Sequence, residues 1–262
     1  MTRGPRVTSP YLAVSEIEKL SKLRDDVTFE AMHASWLLPV IPSSSEEMTA
    51  ARVRYEIMVE ALARCNGSIE EKLLLETTTN FMAAYQGVDD RPYQEAIASF
   101  YCKNCPSLSY QAPHVSASPA ARPASRNIRV GFLSTNFYNH TVGKLYRGII
   151  AELDRTAFEV YVFGGDEGDE IAGFIKGQCD QFHQLPPNLP EARHLVGACR
   201  LDILVYADIG LSPLSYFLAF ARLARVQCVG WGHPVTSGLS SIDYFISSEL
   251  LEDANVEHAQ SY

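Results

Sequence analysis

Three loops of this chain collect the side chains that could do chemistry. One carries Ser134, Asn136, Asn139, His140 and Thr141, and a second carries Asp208 and Gly210. The third lies in VGWGHPVTSGLSSIDYFIS (Val229 to Ser247) and carries His233, Pro234, Thr236 and Ser237. A neutral imidazole can accept a hydroxyl proton or hydrogen-bond a phosphate. A loop rich in Gly, Pro, Ser and Thr can expose backbone N–H groups and hydroxyls to a polar ligand. Together the three loops suit polar-group recognition and general acid–base work, with Lys144 at a helix start. Each residue also has a plainer reading. His140 could cap the helix that starts near Gly143. His233 could be a turn histidine bonded to backbone, and Asp208 an ordinary turn residue ahead of Gly210. Asp243 and Tyr244 read as strand start and packing. Trp231 reads as loop packing, although its position leaves a sugar platform open.

Several chemistries are excluded by spacing. The loop after the first apolar run lacks GxGxxG and the phosphate-binding GxxxxGK[ST]. There is no GxSxG nucleophile elbow and no HExxH pair. No DxD-like pair stands in a suitable loop, so no metal is expected. Cys102 and Cys105 form a single CxxC that ends a helical run. Without a second pair, and with only His114 nearby, it reads as structural rather than zinc-binding or redox-active.

The elements that must position these loops follow from periodicity. Apolar strand-like runs at 128–133, 158–163, 182–185, 203–206, 226–229 and 244–246 alternate with helical runs near 144–153, 169–178, 190–199 and 213–222. Such alternation predicts an α/β class: a Rossmann-like parallel sheet with right-handed crossovers. In strand order 3-2-1-4-5, the loops leaving the first, fourth and fifth strands share the carboxyl edge, where the polar residues would converge on one crevice. Residues 1–110 read as a helical domain. A capping box at Ser15-x-x-Glu18 precedes a short helix, a long helix runs from about 46 to 64, and Ser68-x-x-Glu71 starts another through Tyr85. A further helix spans about 92 to 103. QAPHVSASPAARPASR marks a linker over 111–127, and residues 128–262 form the Rossmann-like unit.

The chain has 262 residues, 47% hydrophobic and 20% charged, with a formal net charge of −9 from 22 basic and 31 acidic side chains. No basic stripe is present, which argues against nucleic acid. No apolar run approaches the ~18 residues of a membrane span, and the first 20 residues lack a signal-peptide core. A cytoplasmic protein without a membrane partner is the expectation.

The segments RVGFLSTNFYNHTVGKL, FEVYVFGGDEGDE, LDILVYADIG and LARVQCVGWGHPVTSGLSSIDYFIS resemble the O-linked N-acetylglucosamine transferase and SPINDLY family of glycosyltransferases, its bacterial members above all. The resemblance runs from Arg129 to the C-terminus and extends weakly to the helical stretch around FMAAYQGVDDRPYQEAIASFYCKNCPSLSYQAPH. It implies inverting, metal-independent transfer of a sugar from a nucleotide-sugar to Ser or Thr of an acceptor protein, without a cofactor. UDP-GlcNAc is the expected donor, with UDP-glucose and GDP-fucose as alternatives. It also implies a GT-B arrangement of two Rossmann-like halves, of which this chain carries the first. The donor-binding half would lie outside it, so a fragment inactive by itself is expected.

By the same resemblance His140 matches a family histidine lining the active site, as base or positioning group. His233, Pro234, Thr236 and Ser237 match a loop near donor and acceptor. Asp208, more loosely, matches a polar residue of the fourth loop, and Asn139 adjoins His140. Two rivals remain: a non-catalytic protein-binding module, and a GT-B transferase with another donor or acceptor.

Overall fold

The structure, a computed structural model, describes residues 38–116, 126–165, 168–232 and 235–250. The expected helix after Ser15 lies outside them. Among the described residues, six strands form one parallel sheet in the order β3-β2-β1-β4-β5-β6. They are β1 (Ile128–Leu133), β2 (Phe158–Gly164), β3 (Gln181–Gln184), β4 (Ile203–Tyr206), β5 (Val226–Gly230) and β6 (Tyr244–Ile246). The expected α/β class is present, and each expected strand falls within a residue of its observed bounds. Order reverses between β1 and β4, which pair through Val130↔Ile203 to Leu133↔Tyr206. That is the switch point of a doubly wound sheet.

Side chains alternate across the pleat, so the four central strands β2, β1, β4 and β5 feed two cores. On one face Val130, Phe132, Val160, Val162, Val205, Ala207 and Cys228 pack under two helices, Thr141–Glu152 and Glu170–Gln178. On the other, Leu133, Tyr161, Phe163, Leu204, Tyr206 and Val229 pack under helices Leu189–Ala198 and Pro213–Leu218. The same cluster continues into the N-terminal helices through Tyr55, Leu62, Ile97, Phe100 and Tyr101. Tyr101 makes an edge contact with Phe217 at 4.9 Å, and Phe217 stacks near Phe220 at 5.8 Å. Helical segment and sheet therefore share one apolar core.

In chain order the helices are α1 (Ser45–Leu62), α2 (Glu71–Leu74), α3 (Arg91–Asn104), α4 (Pro113–Ser116), α5 (Thr141–Glu152), α6 (Glu170–Gln178), α7 (Leu189–Ala198) and α8 (Pro213–Leu218). Side chains of Ser44, Asp169, Asn188 and Ser212 cap α1, α6, α7 and α8 by accepting a backbone N–H, the ordinary role of short polar residues there.

Two helices differ from the sequence expectation. The run predicted from Ser68 through Tyr85 is a single turn, α2, then a 3-10 turn at Phe81–Gln86 ended by left-handed Gly87. Three consecutive threonines interrupt it. The Thr77 hydroxyl donates to the Leu74 carbonyl, and buried Asn80 pairs with Gln94, so side chains compete for the backbone and the helix stops. Helix α8 is also shorter than expected. The Arg222 N–H donates to the Tyr110 carbonyl at 2.8 Å and the Ala112 N–H to the Arg222 carbonyl at 2.9 Å. That backbone pairing takes the chain out of helical geometry.

Cys105 ends α3 as its C-cap and is buried, whereas Cys102 is exposed. Among the described residues no group of three His, Cys, Asp or Glu side chains could hold a metal ion. No described helix is long and apolar enough to cross a membrane.

Gly238 ties the helical layer to the sheet. It has φ +67°, and an added Cβ would stand 2.4 Å from the Gln94 carbonyl carbon in α3. Gly238→Ala is expected to cost about 2–4 kcal/mol, from left-handed strain together with overpacking. Gly148, exposed within α5 with open space around it, is the control, and Gly148→Ala should stabilise by up to about 1 kcal/mol. Equal melting temperatures for the two variants would contradict this packing.

Candidate functional site

The carboxyl edge of the sheet is knitted together by a buried acid. Asp208 follows β4 and is fully buried. Its carboxylate accepts the Ser134 hydroxyl from the loop after β1, the Ser215 hydroxyl of α8 at 3.0 Å, and a long 3.5 Å contact from the Asn136 amide. The Asn136 N–H in turn donates to Ser134 Oγ at 2.9 Å. Burial pushes the Asp208 carboxyl above the usual range, opposed by these hydrogen bonds and by the nearby His140. The aspartate that sequence reading placed in a ligand-facing loop is thus occupied by the protein itself, joining the β1 loop, the β4 loop and the start of α8. Ser134 and Ser215 are its partners. Ser134 was legible as a loop hydroxyl, whereas Ser215 gave no signal beyond the helix start.

His140 is half-buried and is the N-cap of α5, with extended backbone at φ −115° and ψ 160°. Its Nδ1 accepts the Val142 N–H at 3.2 Å. The capping role weighed from sequence is therefore present. It also fixes the tautomer: if Nδ1 holds the acceptor lone pair, the proton of the neutral ring sits on Nε2. Among the described residues Nε2 has no hydrogen-bond partner. The Tyr138 ring leans on the imidazole at 5.7 Å. Gly143 lets the loop close over the helix start, since a Cβ there would stand 2.2 Å from the Tyr138 carbonyl oxygen. Asn139 is exposed, and its N–H donates at 2.5 Å to Asp169, the cap of α6. Those bonds from Asn139 and from α6 hold Asp169 below the usual carboxylate range, the α6 N–H of Ala172 most of all.

The β5 loop divides. Its first part joins the crevice. A Cβ on Gly232 would stand 1.8 Å from the Ala207 carbonyl oxygen, and one on Gly230 the same distance from the Tyr146 hydroxyl. Trp231 stacks on Tyr146 at 6.4 Å. His233 and Pro234 lie outside the described residues. Thr236 and Ser237 then turn toward the helical layer. They line a cavity of about 340 Å3 with Arg91 and Glu95 of α3 and with Tyr244 of β6. Thr236 Oγ1 accepts the Gly238 N–H at 3.2 Å, and buried Ser237 accepts the Leu239 N–H at 3.4 Å. No described contact joins either residue to His140 or Asp208. Arg91 and Glu95 gave no site signal in sequence, because their approach depends on the packing of α3 against Gly238.

What the arrangement can do chemically is bounded by these roles. Among the described residues the edge offers the half-buried His140 imidazole, its Nε2 without a described partner, at the start of a twelve-residue helix, next to a loop whose amides and hydroxyls are already ordered by Asp208. A helix start and an N–H donor favour an anionic group.

No protein-family model matches the chain. Over 154 residues it is 23% identical to a UDP-N-acetylglucosamine–peptide N-acetylglucosaminyltransferase of Caenorhabditis elegans, a match covering 57% of this chain and 13% of that protein. Over 151 residues it is 22% identical to SEC of Arabidopsis thaliana, named as a probable enzyme of the same activity, covering 55% of this chain and 16% of that one. Among solved structures, a mutant O-GlcNAc transferase of Thermobaculum terrenum aligns with TM-score 0.45 and 22% identity, over 87% of this chain and 48% of that one. The chain thus spans a small part of the curated relatives it matches.

A buried acid with a raised carboxyl range adds stability at low pH that is lost as pH climbs through its folded value. Asp208→Asn keeps the shape and removes the charge. Its melting temperature relative to the native chain should therefore rise as pH increases from about 4. Parallel curves for the two proteins would mean that Asp208 carries no charge penalty.

Proposed function

We propose that this chain forms one wall of a nucleotide-sugar-dependent glycosyltransferase acting on Ser or Thr hydroxyls of acceptor proteins, with UDP-GlcNAc as donor. The observation that carries the reading is the carboxyl edge itself, where the β1 and β4 loops are locked together by Asp208 and present His140 at the start of α5. The weak similarity to two N-acetylglucosaminyltransferases supports the same class.

In this reading transfer is a single displacement. The acceptor oxygen forms a bond to the anomeric carbon as the bond to the diphosphate oxygen breaks, with inversion, and the hydroxyl proton passes to solvent. Charge develops on the departing diphosphate, and oriented N–H donors at a helix start stabilise it. His140 supplies such a donor through Nε2–H and acts as a positioning group for an anionic or hydroxyl oxygen, because its Nδ1 is committed to the helix cap. Asn139, Thr236, Ser237, His233 and Pro234 are the further candidate substrate contacts. Thr236 and Ser237 act from the α3 side, where Arg91 and Glu95 complete the cavity. No metal takes part, and the setting is cytoplasmic.

Two substitutions at one position separate cap from site. His140→Ala removes both functions and should cost about 1 kcal/mol of stability. His140→Asn restores a cap acceptor and should bring stability back to within about 0.5 kcal/mol of native. In the full-length native protein, label transfer from UDP-GlcNAc to an acceptor protein should fall by at least about tenfold in both. Unimpaired transfer by the Asn variant would confine His140 to capping. Calorimetric binding of GDP-fucose but not UDP-GlcNAc would replace the donor.

A further inference from the structure

The opposite, amino-terminal edge of the sheet carries a second site. A cavity of about 420 Å3 opens there between α4 and the end of α7. Tyr110, Pro113 and Ala198 give it an apolar wall, and His114, His194 and Arg200 are its polar lining, with no acidic residue among the lining groups. A neighbouring cavity of about 430 Å3 shares Tyr110 and His194 and extends the groove.

Arg200 is the unusual member. It has φ +54°, the only positive φ among the described non-glycine residues. It sits just past the C-cap of α7, and its N–H donates to the Gly197 carbonyl at 3.2 Å. Glycine is the usual residue at that left-handed position, so an arginine holds strain that helix termination does not require. Its guanidinium has no hydrogen-bond or ion-pair partner among the described residues. The acid two residues on, Asp202, is already held by Arg126 at 2.8 Å through both oxygens and by the Arg129 N–H at 2.9 Å.

His114 adds a second anomaly. Its Nε2 faces the Leu201 carbonyl at 3.2 Å, while Nδ1 is buried without a partner among the described residues. Arg225 donates to the His114 carbonyl at 3.3 Å, so a further cation borders the site. Burial, then Arg200 and Arg225, hold the His114 ring below the usual imidazole range, with Asp202 and the Leu201 carbonyl acting in the other direction. A concavity on an acidic chain, bordered by Arg200 and Arg225 and with an apolar wall, suits an anion that also carries an apolar body.

We propose that this cavity binds a small organic anion, a phosphate monoester or carboxylate whose charged head meets Arg200 and His194 and whose apolar part lies against Tyr110 and Pro113. The probes are phenyl phosphate, benzoate and inorganic phosphate, titrated calorimetrically into the native chain. Phenyl phosphate and benzoate should bind saturably, and inorganic phosphate at least about tenfold more weakly. Arg200→Gly should weaken phenyl phosphate by at least about tenfold while its Tm stays equal or rises, because glycine relieves the left-handed strain. His194→Gln, at an exposed position, makes the same test without touching the helix end. Binding should also raise the His114 imidazole pKa, read by NMR, as the anion offsets Arg200 and Arg225. Absence of saturable binding by both organic anions, or undiminished binding by both variants, would overturn the proposal. Inorganic phosphate binding as tightly as phenyl phosphate would overturn the role of the apolar wall.

Discussion

The carboxyl edge of this sheet depends on one buried carboxylate. An ionised acid taken from water must find donors, and Asp208 finds them in Ser134, Ser215 and Asn136, contributed by three different stretches of chain. The linkage works in both directions. The acid is tolerable only while those stretches stay closed around it, and they lose their shared acceptor if it is removed. Since β1 and β4 meet at the reversal of strand order, this interaction fixes the place where an open α/β sheet binds its ligands. Any chemistry at His140 therefore starts from a loop held on one side by Asp208 and on the other by Asp169, which takes the Asn139 N–H.

The glycines of the β5 loop show why a motif can be visible in sequence and still conceal its physics. Gly230, Gly232 and Gly238 read as loop punctuation around polar residues. In the fold all three are close approaches, to the Tyr146 hydroxyl, to the Ala207 carbonyl and to the backbone of α3. They bind the β5 loop to α5, to the β4 loop and to the helical layer in turn. Much of that motif's glycine content is thus explained by packing before any ligand is considered. The side chains Thr236 and Ser237 are placed by it against Arg91 and Glu95.

The strands and most helices were legible because their signals are local. Apolar runs such as those at 128–133 and 158–163, alternating with helical runs, announce a parallel sheet. What escaped sequence reading is set by distant partners. The helix expected after Ser68 fails at Thr77–Asn80, where Asn80 reaches Gln94. Helix α8 stops where Arg222 pairs with Tyr110 and Ala112. The role of Asp208 was hidden for the same reason, whereas the cap at His140 could be weighed in advance: residue type shows that a carboxylate or imidazole is present, and only the fold shows which of its atoms are already engaged.

That distinction bears on the chemistry available to His140. A general base needs a free lone pair aimed at the reacting hydroxyl. Here the free nitrogen carries the proton, because the other nitrogen accepts the Val142 N–H. Moving the proton to Nδ1 would set two N–H groups against each other and uncap α5, at about 1 kcal/mol or more. The lower-energy arrangement keeps Nε2–H as a donor beside the helix start, where it stabilises negative charge on an oxygen. In the proposed transfer, such a donor would receive the anionic leaving group or orient an acceptor oxygen. The proton of the attacking hydroxyl must then leave by a route that does not pass through this imidazole.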